Sequence, residues 1–192
     1  MKKINQKKIS VVIPLGPRRE LVVTESLKKQ KDKLDFYIER GPNPSENRNK
    51  GVAKSKTVFI GFVNAHSILT NNWADEVLRF FSEHPEIDIV GGPQLTLKNE
   101  NFFARTSGYA LSSVFGTADL NERYRPSTLN LNANEKQITL ANLICKRKVC
   151  KSIKFDENLY PGADVKFIHE AEREGFKIAY SPDIVVYNKR RK

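Results

Sequence analysis

The chain has 192 residues, 39% hydrophobic and 29% charged, with 10 Gly and 9 Pro, which suits one globular domain over residues 1–192 and excludes disordered and fibrous classes. Lys and Arg outnumber Asp and Glu by 33 to 22, and the net charge of +11 favours an anionic partner: nucleic acid, an anionic membrane surface or a phosphorylated substrate. No apolar run reaches the ~18 residues of a membrane span and MKKINQKK lacks the apolar core of a signal peptide, so the expected location is cytoplasmic.

ISVVIP (9–14) is a short apolar run closed by proline and predicts a buried strand. A helical stretch follows through Leu27, then a second strand at LDFYIE (34–39). In GPNP (41–44) two prolines oppose both helix and ladder, and Ser45 is the expected N-cap of a helix running through Lys54. TVFIGFV (57–63) is fully apolar and predicts a central third strand.

Trp73, Val77, Leu78, Phe80 and Phe81 recur at helical spacing, which predicts an amphipathic helix over 72–83 that stops near Pro85. IDIVGG (87–92) reads as strand four. Strict alternation of strand and helix to this point predicts a parallel sheet covered on both faces. From 95 to 136 the pattern breaks into a helical NFFARTSGYALSSVFG and a polar loop, STLNLNANEKQ. ITLANLICK (138–146) resumes as a strand, 163–175 reads as a helix, and KIAYSPDIVVY (177–187) gives two short strands split at Ser181-Pro182. Cys145 and Cys150 are five apart, matching neither a redox pair nor a zinc set, and are read as reduced packing residues.

Open sheets of this kind bind ligands outside the carboxyl ends of their strands. Pro14, Glu39 and the triplet Asn64, Ala65 and His66 all lie at such ends. Asn and His also suit a plain strand-to-helix turn, where they satisfy local backbone groups. Asp164 is either a reactive carboxylate or a first-turn acid favoured by the helix dipole.

The segments ISVVIP, SENRNKGVAKSK, FVNAHSILTNNW, IDIVGGP and NLYPGADVKFIHEAEREGFKIAYSPDIVVY, in that order, resemble the family 2 glycosyltransferases with the GT-A fold. The closest subgroup is similar to that of succinoglycan-type exopolysaccharide assembly, where an Asp-Ala-His triplet replaces Asp-x-Asp. The resemblance implies a three-layer α/β/α fold with a mostly parallel central sheet. It also implies inverting transfer of a sugar from a nucleoside diphosphate sugar to an acceptor hydroxyl, in polysaccharide or glycolipid synthesis.

On the same resemblance Pro14 borders the nucleotide, Glu39 takes the place of the acid that reads the base, and Arg48 lies beside the nucleotide cleft. Asn64, Ala65 and His66 flank the diphosphate, with His66 the remaining metal ligand, and Asp164 is the general base. The chain departs from the family at three sites: Asn64 stands for an acid, Ala163 for a Glu and Asn188 for a His. Dependence on manganese or magnesium is therefore expected to be weak without nucleotide, since an amide and an imidazole bring no negative charge to the ion.

The acceptor class is a lipid-linked or saccharide hydroxyl, and the basic ends would hold the domain peripherally at the inner face of an anionic membrane. Two rivals remain open. A non-catalytic relative would keep the fold and bind nucleotide; a nucleic-acid-binding module rests on charge alone, with no RNP, KH or zinc-finger pattern behind it.

Overall fold

Alternation along the first strand builds both faces of the sheet. In the computed structural model, which describes residues 8–97, 102, 106, 110, 113, 118–159 and 161–189, β1 (Ile9–Leu15) turns Ile9, Val11 and Ile13 to one core and Val12 to the other. The helical reading of 101–116 and both basic ends lie largely outside the described residues. Beside β1 lie β2 (Leu34–Arg40) and β3 (Phe59–Val63), both parallel to it. Phe62 and Ile60 on β3 repeat the alternation, sending their side chains to the second core while Val63 enters the first.

The six-stranded sheet has the order β2-β1-β3-β7-β5-β8 and is completed by β5 (Ile89–Gly91), β7 (Asn142–Lys146) and β8 (Ile178–Tyr180). Only β7 opposes the common direction, pairing antiparallel with both β3 and β5. It follows the stretch from 95 to 136, where the strand-helix alternation of the sequence breaks, so the parallel expectation does not extend to it. The sheet is therefore mostly parallel rather than wholly so. A second, three-stranded sheet joins β4 (Ser67–Leu69), β9 (Val186–Asn188) and β6 (Gln94–Thr96), of which β4 and β6 have no periodic signature at three residues each.

Helices cover the main sheet on both faces, giving the three-layer α/β/α arrangement. On one side α1 (Thr24–Lys28) and α3 (Trp73–Glu83) bury Leu27, Trp73, Val77, Phe80 and Phe81 against β1, β3 and β7. Each such side chain contributes about 1.5–3 kcal/mol by leaving water. On the other side α2 (Pro44–Lys54), α4 (Arg147–Ser152) and α5 (Ala163–Arg173) supply Val52, Val149, Cys150, Phe167 and Ile168. The two cysteines are buried neighbours, with sulfur atoms 3.3 Å apart, and burial pushes the Cys145 thiol well up. No helix among the described residues is long and apolar enough to cross a membrane.

The start of α2 corrects the sequence reading. Asn43, not Ser45, is the N-cap: its Oδ1 accepts from the backbone N–H of Ser45 at 2.9 Å and of Glu46 at 3.3 Å. Pro44 is the first helical residue, a place where its missing N–H costs nothing, so the second proline of GPNP starts the helix instead of blocking it. Asn43 also reaches across with Nδ2, donating to the Glu157 carbonyl at 2.7 Å. Asn43→Ala is expected to lower stability by about 0.5–2 kcal/mol in urea unfolding. A loss below that range would mean the cap bonds are not made in solution.

At the far end of α2, Gly51 faces β1 so closely that an added Cβ would lie 2.4 Å from Val12 Cγ1. This close approach lays α2 flat on the sheet.

Candidate functional site

The sheet register puts Pro14 of β1 directly opposite Glu39 of β2. Val12 pairs with Phe62 on the other side, so Asn64 follows two residues beyond that pair, level with Pro14. The strand-end residues named from sequence thus share one edge. Glu39 is buried there and ion-paired with Lys54, whose Nζ lies 2.6 and 2.8 Å from the two carboxylate oxygens. Lys54 was not anticipated; it closes α2 back onto the end of β2.

All three carbonyls of the Asn64-Ala65-His66 turn accept hydrogen bonds. The Ser67 N–H bonds to the Asn64 carbonyl at 3.1 Å, the Val22 and Val23 N–H groups bond to Ala65 at 2.8 and 3.1 Å, and the Lys189 N–H bonds to His66 at 3.0 Å. The turn is therefore fixed from three directions. Its backbone oxygens are committed, and only the Asn64 amide and the His66 ring face the question of ligand binding. Among the described residues no set of three His, Cys, Asp or Glu ligand atoms converges on His66.

The neutral residue at 188 has an evident structural task. Asn188 is buried, its Oδ1 accepts from Ser67 Oγ at 2.7 Å, and its Nδ2 donates to Gln94 Oε1 at 2.9 Å. Gln94 passes the chain on, donating to Thr139 Oγ1 at 2.7 Å. These bonds tie β4, β9 and β6 to the segment before β7, and both ends of the Asn188 amide are used.

Arg48 and Asp164 form the second part of the site. Arg48 projects from α2 over the face of Phe155, its guanidinium carbon 5.6 Å from the ring centroid. Burial lowers its pKa to about 10, opposed by the neighbouring charge of Asp164. Its Nε is buried with no hydrogen-bond partner among the described residues. Such an orphaned cationic donor costs on the order of 1–3 kcal/mol unless an anion meets it.

Phe155 belongs to an aromatic stack that seats both helices. Its ring lies on Phe167 of α5 at 4.6 Å between centroids and meets Phe62 of β3 edge-on at 5.0 Å. The loop that carries Phe155 is stitched along α2: Asn49 Nδ2 donates to the Phe155 carbonyl at 2.9 Å, and the Phe155 N–H donates to Asn49 Oδ1 at 3.0 Å. Asn49 also donates to Glu157 Oε1 at 2.8 Å. Past the loop, Lys166 of α5 binds Asp156 at 2.7 Å. Gly162, at φ 107, then turns the chain left-handed into α5 and places Asp164 in its first turn.

Asn43, Asn49, Lys54, Phe155 and Lys166 were missed by sequence reasoning. A signal did exist for Asn49, and for Asn47 on the same helix: Asn inside a helix competes with the backbone and is disfavoured there, so both imply tertiary bonds. Asn47 is buried and donates to the Gly41 carbonyl at 3.1 Å, holding the turn before the helix.

Comparisons with known proteins bear on the family and the fold. Residues 19–153 match the family described as glycosyl transferase family 2. The minor teichoic acid biosynthesis protein GgaB of Bacillus subtilis (strain 168) is 26% identical over 159 residues, covering 79% of this chain and 16% of GgaB. Pre-mycofactocin glycosyltransferase of Mycobacterium tuberculosis (strain ATCC 25618 / H37Rv) is 23% identical over 145 residues, covering 74% of this chain and 29% of that protein. The chain therefore spans less than a third of the length of either relative.

Among solved structures, S. aureus TarS 1-349 superposes with a TM-score of 0.66 at 14% identity, over 95% of this chain and 60% of that one. The same protein in complex with UDP-GlcNAc gives 0.64 at 14% identity, over 96% and 59%. At such identity the likeness establishes the fold, a GT-A-like α/β arrangement with a mostly parallel central sheet. With more than half its length matched by one family, the chain belongs to glycosyl transferase family 2.

Proposed function

We propose that this domain transfers a sugar from a nucleoside diphosphate sugar to an acceptor hydroxyl by a single inverting displacement. The observation that carries the reading is Arg48, half-buried and within electrostatic reach of Asp164, with its buried Nε lacking a hydrogen-bond partner among the described residues. The diphosphate lies against the carboxyl ends of β1, β2 and β3, between Pro14, Glu39 and the turn at Asn64, Ala65 and His66. Arg48 meets the charge that develops on the leaving diphosphate, and Asp164 removes the acceptor proton. The UDP-GlcNAc and UDP held by TarS structures make a uridine nucleotide the first donor to try.

Asn64 and His66 do not fit a preformed magnesium or manganese site. Such ions take oxygen-rich, charged shells, Asn64 and His66 bring no negative charge of their own, and among the described residues no set of three His, Cys, Asp or Glu ligand atoms includes His66. The phosphates themselves are the principal ligands for a divalent ion here, and His66 is at most one protein donor to it. The acceptor is a saccharide or lipid-linked hydroxyl of an exopolysaccharide or teichoic-acid type of pathway, reached at the inner face of an anionic membrane.

A second reading has its own support. Asn188 is locked into a buried amide chain and Asn64 lacks charge, as expected of a relative that keeps nucleotide binding without turnover. Calorimetric titration with a panel of nucleoside diphosphates and their sugars, with and without manganese, tests the shared claim. Binding of at least one diphosphate is expected, and heat from none of them would remove both readings. Asn64→Asp should tighten manganese binding in the presence of diphosphate; no change would show that position 64 does not face the ion.

A further inference from the structure

At the opposite end of the sheet from the strand carboxyl ends, three metal-ligating side chains converge. The segment before β7 runs along the outer edge of β8: Asn130 and Tyr180 exchange backbone hydrogen bonds of 3.1 and 2.8 Å, and the Ala133 N–H bonds to the Ile178 carbonyl at 2.9 Å. Ile178 opens β8, so Glu135, two residues past its partner, lies beyond the amino end of that strand. There it meets His169 and Glu172 of α5, which share a helix face at i, i+3. His169 Nε2 and Glu135 Oε2 are 3.4 Å apart, and the ligand atoms of all three residues lie within 4.8 Å of one another.

We propose that Glu135, His169 and Glu172 form a zinc-class site that staples the 130–137 segment to α5. With bonds of about 2.0–2.2 Å to nitrogen and oxygen, ligands on a tetrahedral zinc ion stand roughly 3.3–3.5 Å apart, the separation that Glu135 and His169 already have. Two carboxylates offset the charge of a divalent ion, and the imidazole selects zinc over manganese or magnesium. A water completes the tetrahedron.

Glu135 is held in advance. The Gln137 and Ile138 N–H groups both bond to the Asn134 carbonyl, the Lys136 N–H bonds to Asn134 Oδ1 at 2.9 Å, and Arg123 donates to the carbonyls of Glu135 and Lys136. The site stands apart from the strand-end residues and does not depend on the proposed transfer.

The test uses the full chain, stripped with a chelator and titrated with zinc chloride alone. Competition against a chromophoric chelator gives affinity and stoichiometry, and thermal melts give the linked stabilisation. One equivalent is expected to bind, raising the melting midpoint by on the order of 5 °C at a hundredfold excess over Kd. His169→Ala and Glu135→Gln should each weaken zinc binding by about tenfold or more and remove that rise, since loss of even an outer-shell partner costs about that much. His66→Ala should leave both unchanged.

Absence of zinc uptake by the unaltered chain would overturn the proposal. So would an unaltered affinity in His169→Ala, or loss of the rise in His66→Ala, because the ion would then sit elsewhere. His169→Ala also provides the background for manganese titration at the strand ends, so that failure of one site is not mistaken for failure of the other.

Discussion

Asp164→Asn should reduce sugar transfer by about a hundredfold or more while leaving nucleoside diphosphate affinity within a few fold. A general base contributes about 10²–10⁴ to the rate through proton removal in the transition state, and the amide keeps the shape while losing the basicity. Arg48 sharpens the expectation. Asp164 supplies the charge that opposes the lowering of the Arg48 pKa, so removing that charge leaves the guanidinium freer to hold phosphate. Nucleotide binding should hold or tighten as turnover falls. A carboxylate that only complements the helix dipole predicts otherwise: about 0.3–1 kcal/mol of stability lost and turnover untouched. Full activity in the variant would sink the base assignment. A wild-type chain that binds nucleotide tightly and transfers nothing would favour the non-catalytic relative. Restoring the family's acid is not a clean rescue, because Ala163 is buried and a Glu there must leave the core or pay for desolvation.

What could be read from the sequence follows from where periodicity is strong. β1, β2, β3 and α3 carry unbroken apolar patterns, and their bounds differ from the reading by a residue or two. β4 and β6 are three residues long, too short for a period to show. The direction of β7 was illegible because direction is set by the connection, and the connection before β7 follows no repeating unit. ITLANLICK also overran the strand: Ile138 and Leu140 are buried as core residues of the preceding turn, and apolar content alone does not separate the two.

The site divides in the same way. Register made the strand-end group legible, since three consecutive parallel strands must end together. The approach of Arg48 to Asp164 was not, because it depends on a loop held by Asn43, Asn49 and Phe155 across more than a hundred residues of sequence. Charge clusters misled in a similar way. Lys33 is paired with Asp75 at 2.6 Å and Lys148 with Asp88 at 2.8 Å, so part of the basic excess is matched by acids distant in sequence.

Arg48→Met should separate binding from stability in the opposite direction to most active-site changes. In the folded chain burial desolvates the guanidinium, its Nε lacks a partner among the described residues, and its pKa is lowered to about 10. A basic group whose pKa falls on folding is held in a disfavoured charged state, so the penalty is present throughout the neutral range and is relieved only as pH rises past that value. Met fills the same space over Phe155 with no charge to desolvate, and replacing a poorly satisfied buried ion by an apolar side chain is often neutral or stabilising. The melting midpoint should hold or rise. Affinity for the diphosphate should fall about tenfold to a hundredfold, the loss of one charge-assisted interaction of about 1.5–3 kcal/mol. Arg48→Lys should fall between, since an ammonium keeps the charge without the planar fork. Calorimetry with UDP and thermal melts of each variant decide the matter. Unchanged affinity in Arg48→Met would take Arg48 out of the binding site. A marked loss of stability with affinity preserved would make Arg48 a structural brace between α2 and the Phe155 loop.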